Sequence, residues 1–266
     1  MAQVCTSFSL AGKTALLTGA TGHLGERMAM ALASAGARVL VNSRSCQRAA
    51  SLVERLEEKG YAAEPLVFDI TVPEQIAESM DMIQGQALHI LVNNAYAGGG
   101  GTVETADASE YQDSYEMVVS SAHRILQACL PGLREAVRKN GDASVINIAS
   151  MYGMVSPDPR LYDSASSTNP PFYGAAKAAL IQWSRYAACE LGKDGIRVNS
   201  ISPGPFPAES VEESNPIFVE KLASRVPLGR TGRAEELQGP LLFLASSASS
   251  FVTGSNLVVD GGWTAW

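Results

Sequence analysis

The stretch Thr18-Gly-Ala-Thr-Gly-His-Leu-Gly25 decides which fold this chain can adopt. A short apolar run, residues 14–17, precedes its glycines, and an Ala- and Met-rich run with helical character, residues 26–35, follows them. A strand that turns through glycines into a helix forms the phosphate-binding corner of a dinucleotide-binding fold. There the first glycine allows the tight turn, the second lets the backbone approach a pyrophosphate, and the third lets the helix pack against its strand. The spacing G-x-x-G-x-x-G differs from the G-x-G-x-x-G fingerprint of dinucleotide-binding proteins. Whether this stretch binds a dinucleotide must therefore be judged from residues further along the chain.

The composition indicates a compact globular protein. The chain has 266 residues, of which 46% are hydrophobic and 18% charged, as in proteins with a substantial core. Its net charge of −7 argues against nucleic acid or an anionic membrane as a partner.

Cysteine usage and the N-terminal sequence indicate a reducing compartment. The four cysteines lie far apart and the three histidines lack metal-ligand spacing, so we expect neither a disulfide framework nor a bound metal. The N-terminal residues do not read as a secretory leader, and no apolar run approaches the length of a membrane span. We therefore expect a soluble, cytoplasmic protein.

Short apolar runs alternate with helix-like segments along the whole chain. Apolar strands separated by helices pair in parallel, with both faces of the sheet covered. We predict an α/β fold with a single Rossmann-type domain, residues 1–266, in which helices cover both faces of a doubly wound parallel sheet of about seven strands. The predicted strands are residues 14–17, 38–41, 64–68, 89–92, 144–148, 197–201 and 257–259. The predicted helices after the first are residues 46–59, 73–83, 111–133 and 173–191.

The segment Tyr173-Gly-Ala-Ala-Lys177 places a phenol and an ammonium group on one face of a helix. A free tyrosine has a pKa of about 10 and is a poor base at neutral pH. A lysine cation nearby favours the phenolate and lowers that pKa, so the pair can exchange a proton with a carbonyl or hydroxyl oxygen. Ser150 follows a predicted strand and can hydrogen-bond the same oxygen.

Taken together, these motifs resemble those of the short-chain dehydrogenase/reductase family, over nearly the whole chain. The matching landmarks stand in the family's order: the glycine turn, Asp69, Asn93-Asn-Ala95, Ser150, Tyr173 with Lys177, Arg197-Val-Asn199, Pro203-Gly204, and the tail from Val252-Thr-Gly254 to Val259-Asp-Gly-Gly262. Each motif alone is weak, but the ordered set is specific.

The resemblance implies a role for each matching residue. Tyr173 would be the general acid/base, Lys177 would tune it and bind the nicotinamide ribose, and Ser150 would orient the substrate oxygen. Asp69 with Ile70 would hold the adenine. The residues implied in cofactor binding are Gly19, Thr21, Gly22, His23, Leu24, Gly25, Ser43, Arg44, Asp69, Ile70, Asn93, Ala95, Tyr173, Lys177, Pro203, Gly204 and Phe206.

Four features depart from the family pattern. His23 replaces a glycine, which gives the T-G-x-x-G-x-x-G spacing of the nucleotide-sugar-modifying branch. Tyr96 stands where N-N-A-G would have glycine, and Val118 stands where the family often has an asparagine that holds a water for proton relay. Ser150 and Tyr173 are 23 positions apart, about ten more than is usual for the family. These departures favour an unusual substrate and leave a degenerate enzyme as an alternative.

The end of the second predicted strand favours NADP(H) over NAD(H). NAD-preferring relatives carry an acidic residue there, which accepts a hydrogen bond from the ribose 2′-hydroxyl. Ser43 occupies that position and Arg44 follows it. A 2′-phosphate needs cationic donors, which a guanidinium supplies. We therefore expect NADP(H) to be preferred and NAD(H) to remain possible.

The inserted stretch 151–172 is long for a connection without structure, which favours a functional loop. Its many donors and acceptors suit a sugar, polyol or sugar-linked substrate, whose hydroxyl and carbonyl forms the protein would interconvert. A second variable stretch, 205–225, is expected to close over the site as a lid. The alternatives are a 3-oxoacyl-type ketoreductase, a nucleotide-sugar epimerase or dehydratase, and a dinucleotide-binding sensor without turnover.

Because family members commonly pair the two long helices between subunits, we expect a homodimer or homotetramer.

Overall fold

The computed structural model describes residues 7–266 and contains one seven-stranded parallel sheet. The strand order is β3-β2-β1-β4-β5-β6-β7, so the chain reverses direction beside β1 and winds the sheet both ways. This confirms the predicted Rossmann-type fold. The strands are β1 Thr14–Leu17, β2 Arg38–Ser43, β3 Ala63–Val67, β4 Ile90–Asn93, β5 Ala143–Ile148, β6 Ile196–Pro203 and β7 Asn256–Val259.

Nine α-helices connect or follow the strands within the described residues. They are α1 His23–Ser34, α2 Cys46–Glu57, α3 Pro73–Met82, α4 Ala108–Tyr115, α5 Ser121–Asn140, α6 Pro171–Leu191, α7 Glu209–Ser214, α8 Pro216–Arg225 and α9 Gln238–Ala245. None of these helices in residues 7–266 combines the length and the apolar character that a membrane-spanning segment requires.

The sheet is buried on both faces because successive strand residues point to opposite sides. In β1, Leu17 packs into the layer formed by α1, α2 and α9. Its neighbour Leu16 packs into the layer formed by α3, α5 and α6. Both leucines are fully buried. Apolar side chains on both sides of β1, β2 and β4 explain why these strands read as continuous hydrophobic runs rather than as alternating ones.

The predicted helix 111–133 is divided in the structure. It begins earlier, at Ala108, because Asp107 and Glu110 form a capping box that satisfies the first backbone N–H groups. Its α-helical hydrogen bonding is then interrupted by a π-helical turn, Glu116–Ser120, before α5 continues. The turn places Val118 against the catalytic region, as described below.

The Arg197-Val-Asn199 motif is structural in this fold. The buried Arg197 guanidinium pairs with Asp142 at 2.9 Å and donates to the carbonyl of Leu244 at the end of α9. The Asn199 side chain donates to the carbonyl of Val252 at 2.9 Å. Both residues therefore tie the C-terminal segment to the sheet, and that segment carries β7.

We expect Gly25→Ala to destabilise the fold. A Cβ at residue 25 would overlap the carbonyl oxygen of Gly19 and lie 2.9 Å from backbone atoms of Ala20. Overpacking of this kind costs about 1–3 kcal/mol, which a shift of the urea unfolding midpoint would reveal. The matched control is Gly239→Ala in α9, where nothing lies within 4 Å and the change should be neutral or stabilising. Equal midpoints for the two variants would contradict the packing role of Gly25.

Candidate active site

Two clefts open at the carboxyl edge of the sheet and meet at His23. The first encloses about 520 Å³ above β1, β2 and the ends of β3 and β4. It is lined by eleven of the residues implied in cofactor binding: Gly19, Thr21, Gly22, His23, Leu24, Gly25, Ser43, Arg44, Asp69, Ile70 and Ala95. Residues so far apart in sequence converge because parallel strands end at one edge.

The glycine turn is braced by two asparagines, Asn42 and Asn94. Gly19 has a φ of +61° and approaches the backbone of Ala95 so closely that a Cβ would lie 2.7 Å from its Cα. The Asn42 side chain accepts from Gly19 N–H at 3.3 Å. The Asn94 side chain donates to the carbonyls of Thr18 and Gly19 at 3.0 and 3.1 Å. These hydrogen bonds from within the protein fix the backbone conformation of the glycine turn.

The first turn of α1 faces this cleft without a side-chain cap. Its N-cap is Gly22, and no side chain among the described residues accepts from the N-terminal N–H groups. Uncapped N–H groups and the positive end of the helix dipole attract a phosphate. A Cβ at Gly25 would overlap neighbouring backbone atoms, so this first turn of α1 requires a glycine at position 25.

A pair of arginines lies at the end of the cleft beyond β2. Arg44 is two-thirds exposed and pairs with Asp69 at a long 3.8 Å, so its guanidinium remains available for a ligand. Arg48, on the first turn of α2, donates to the carbonyl of Thr21 at 2.6 Å and also lines the cleft. Sequence analysis did not select Arg48, although a second basic residue soon after Arg44, in the first turn of the predicted helix 46–59, is a signal that could have found it.

Asp69 stays ionised in this cleft. Burial alone would raise the pKa of its carboxyl group, but hydrogen bonds from Thr71 and the charge of Arg44 outweigh burial and lower that pKa. Both hydrogen bonds from Thr71 are short, at 2.7 and 2.9 Å. The carboxylate is therefore fixed beside Ile70, at the rim where the adenine was predicted to lie.

The second cleft holds the predicted catalytic serine and tyrosine. It encloses about 550 Å³ between the inserted stretch, α6, α7 and α8. Ser150, Tyr173, Gly204 and Phe206 line it together with His23. Pro203 is the last residue of β6, directly before Gly204.

The Ser150 hydroxyl is oriented by the backbone that follows it. Its oxygen accepts from the N–H of Tyr152 at 3.1 Å, which leaves its proton free to be donated into the cleft. Burial raises the pKa of Tyr173, and a hydrogen bond with Ser150 partly offsets that rise. The serine and the tyrosine therefore line the same cleft as neighbours.

Lys177 lies behind Tyr173, at the bottom of the site. Its Nζ donates to the carbonyl of Ile148 at 2.7 Å, and complete burial lowers its pKa to about 7. With Asn93 and Val118 it lines a small cavity of about 10 Å³, roughly the space of one water. The Asn93 side chain faces this cavity and donates to Asn147 at 2.8 Å, and it is not among the residues that line the first cleft, where the cofactor was predicted to bind.

The structure does not support the predicted lowering of the tyrosine pKa, since burial raises it. Lys177 lies 5.6 Å from the centre of the Tyr173 ring. Burial disfavours both the phenolate and the ammonium, and it dominates the pKa of each group. The helical spacing brings the two side chains together, whereas the sequence does not reveal how deeply both are buried.

The inserted stretch folds into three short 3₁₀ turns, which are Met151–Gly153, Pro159–Leu161 and Ala165–Ser167. Two of its tyrosines, Tyr152 and Tyr162, share a hydrogen bond between their hydroxyls at 3.0 Å. The stretch is attached to α8 by two ion pairs, Asp158 with Arg225 at 3.2 Å and Asp163 with Lys221 at 3.0 Å. The inserted stretch and α8 thus form one wall of the second cleft, and Phe206 and Phe218 line it from the segment predicted as a lid.

Comparisons with known proteins agree with this geometry. Residues 19–264 match the family model described as enoyl-(acyl carrier protein) reductase. A rhamnolipids biosynthesis 3-oxoacyl-[acyl-carrier-protein] reductase of Pseudomonas aeruginosa is 33% identical over 96% of this chain and 98% of its own length.

Solved structures are similar over nearly the whole chain. A gluconate 5-dehydrogenase from Burkholderia cenocepacia, in complex with NADP and tartrate, superposes with a TM-score of 0.86 at 30% identity over 99% of each chain. An L-sorbose reductase from Gluconobacter frateurii, complexed with NADPH and L-sorbose, gives a TM-score of 0.84 at 27% identity over 97% of this chain and 98% of its own. The motifs, the fold and these matches agree: the chain belongs to the short-chain dehydrogenase/reductase family and is an NAD(P)-dependent oxidoreductase of CH–OH groups.

Proposed function

We propose that this protein is an NADP(H)-dependent oxidoreductase that interconverts a hydroxyl and a carbonyl on a small, uncharged, polar substrate such as a sugar or polyol. The observation that carries the proposal is the lining of the second cleft. Among its described lining residues there is no Lys, Arg, Asp or Glu, and His23 is the single titratable group besides tyrosines. Burying a carboxylate there would remove its water without supplying a cation.

The polar groups of the cleft suit a substrate with several hydroxyls. Ser166, Ser167 and Thr168 line it. Asn169 also lines it, and its buried Oδ1 accepts no hydrogen bond from any residue in the described part of the chain. A buried acceptor without a donor is costly, and a substrate hydroxyl would satisfy it. The L-sorbose reductase among the similar structures binds a substrate of this class.

The catalytic residues would work as a proton-transfer group beside the substrate. In the reducing direction, Tyr173 donates its phenolic proton to the carbonyl oxygen while Ser150 hydrogen-bonds that oxygen. The ammonium form of Lys177 would stabilise the tyrosinate that remains. A bound nicotinamide supplies or accepts the hydride at the substrate carbon. In the oxidising direction the tyrosinate takes the hydroxyl proton.

The first cleft would hold the cofactor as a phosphate-binding site with a cationic end. The bare N-terminus of α1 suits the pyrophosphate. Ser43 leaves the end of β2 without an acid, and Arg44 and Arg48 supply guanidinium groups beside it. Guanidinium groups are well matched to a phosphate, and this supports a preference for NADP(H).

A 3-oxoacyl substrate is the second candidate. One side of the second cleft is apolar and carries Phe206, Val211, Phe218 and Leu222. An acyl chain could pack on these side chains, and one of the similar proteins is a 3-oxoacyl reductase. The unsatisfied Asn169 oxygen in the same cleft favours the polyhydroxylated substrate over this alternative.

Cofactor preference should rest on Arg44. The wild-type protein should bind NADPH more tightly than NADH, and Arg44→Ala should remove most of that difference. Loss of one charge-assisted hydrogen bond costs about 1.5–3 kcal/mol, or about one to two orders of magnitude in Kd, measured by fluorescence titration. Arg55→Ala is the control, since Arg55 lies on the following helix α2 and pairs with Glu26 outside the cleft lining. Equal wild-type affinities for the two cofactors would contradict the preference.

Turnover should rest on Tyr173. Tyr173→Phe keeps the ring but removes the proton donor, so turnover with a panel of ketoses should fall about 10²–10⁴-fold while NADPH binding survives. Lys177→Ala should weaken both. Tyr186→Phe, an exposed position on the same helix, is the control and should leave both unchanged. Near-normal turnover in Tyr173→Phe would show that another group supplies the proton.

Substrate charge should decide substrate choice. We expect a ketose to be reduced with a KM at least about tenfold lower than that of the keto acid of the same carbon skeleton, because the carboxylate would lose hydration without gaining a cation. Steady-state kinetics at saturating NADPH compare the two directly. A lower KM for the keto acid would overturn the uncharged-substrate proposal, and activity confined to 3-oxoacyl thioesters would favour the second candidate.

A further inference from the structure

Tyr96, in the loop that follows β4, lies close to the side chains of both Tyr173 and Lys177. The centres of its ring and the Tyr173 ring are 4.8 Å apart, at an interplanar angle of 62°. The Lys177 Nζ lies 5.5 Å from the centre of the Tyr96 ring and 5.6 Å from that of Tyr173. The ammonium group therefore has two neighbouring aromatic rings within 6 Å, and these rings contact each other.

The surroundings of Lys177 offer its charge little other support. Within residues 7–266, the hydrogen bond to the Ile148 carbonyl is its single polar contact of this kind. Burial is the dominant influence on its pKa, and no carboxylate contributes to it. Aromatic rings within about 6 Å attract a cation through their quadrupole, more strongly where water is excluded. Besides the Ile148 carbonyl, the two rings are therefore the groups that can compensate for the buried charge.

The Tyr96 ring is itself held firmly. Ser114 lies close enough to influence the pKa of its hydroxyl, and the Ser114 hydroxyl donates to the carbonyl of Phe172 at 3.3 Å. A Cβ at Gly98 would overlap the Tyr96 hydroxyl, so that glycine allows the ring its position. Burial raises the pKa of Tyr96 to about 12, which keeps its ring uncharged over the working pH range.

We propose that Tyr96 is a positioning residue for the catalytic pair, in which its ring holds the Lys177 ammonium group against Tyr173. This role goes beyond the proposed function, since it concerns the charge of the lysine and not the identity of the substrate. It would also explain why Tyr96 stands where the N-N-A-G pattern has glycine. Ser114 links the surroundings of the Tyr96 hydroxyl to the backbone of Phe172, the residue directly before Tyr173.

Other titratable groups near the pair do not provide the same effect. Tyr152 is the remaining phenol that interacts with Tyr173, and burial keeps its pKa above the ordinary value. Asp158 acts on Tyr152 and Tyr162. On the π-helical turn, Glu116 is paired with Arg124. Burial therefore dominates the pKa of the lysine, and the two rings are its aromatic neighbours.

The test compares Tyr96→Leu with Tyr96→Phe in the full-length chain without substrate. NMR of protein labelled at the lysine ε-carbon follows the titration of Lys177, whose signal is assigned by its absence in Lys177→Ala. Tyr96→Phe keeps the ring and should leave the pKa of Lys177 within error of the wild type. Tyr96→Leu keeps an apolar side chain but removes the quadrupole, so that pKa should fall by about half a unit to one unit.

Other outcomes of this experiment would overturn the proposal. A Lys177 pKa that is unchanged in Tyr96→Leu would show that the ring does not stabilise the cation. A rise would show that the ring acts only by excluding water. An equal fall in Tyr96→Phe would assign the effect to the hydroxyl.

If Tyr96→Leu fails to fold, phenylalanines with increasing fluorination at position 96 provide the second measurement. They weaken the quadrupole stepwise with little change of shape. The pKa of Lys177 should fall with each step, and a pKa independent of fluorination would contradict the proposal.

Discussion

Burial of the parallel sheet on both faces is the constraint on which the rest of the molecule depends. Each central strand presents apolar side chains to both sides, as Leu16 and Leu17 do in β1, and this leaves no room for chemistry along the strands. The polar groups that can reach a ligand therefore lie at the carboxyl edge, where the backbone leaves the core. Both clefts lie at that edge, and so does the glycine turn that Asn42 and Asn94 brace.

The sequence predicted the strands to within two residues because buried strands and glycine turns leave local patterns. It also predicted that Ser150 and Tyr173 would meet. It could not predict features that depend on how distant elements dock. Arg48 reaches the glycine turn because α2 packs beside β2. The pKa values of Tyr173 and Lys177 depend on a depth of burial that an i, i+4 spacing does not encode.

The two clefts differ in the charge of their lining residues. The first carries arginines and an uncapped helix N-terminus, all suited to phosphates. The second is lined by hydroxyl, amide and aromatic groups without a formal charge of its own among the described residues. Between them lies a lysine whose charge is balanced by a carbonyl and two rings. Charge recognition thus belongs to the cofactor end, and shape and hydrogen bonding belong to the substrate end.

The attachment of the inserted stretch to α8 has a consequence for how the protein responds to its medium. The pairs of Asp158 with Arg225 and of Asp163 with Lys221 are largely surface contacts, which dissolved ions screen. The sheet edge that holds the first cleft is fixed by buried hydrogen bonds that salt barely affects. Ionic strength will therefore loosen the wall around the substrate while the cofactor cradle keeps its shape, so the two ends of one active site differ in their sensitivity to salt.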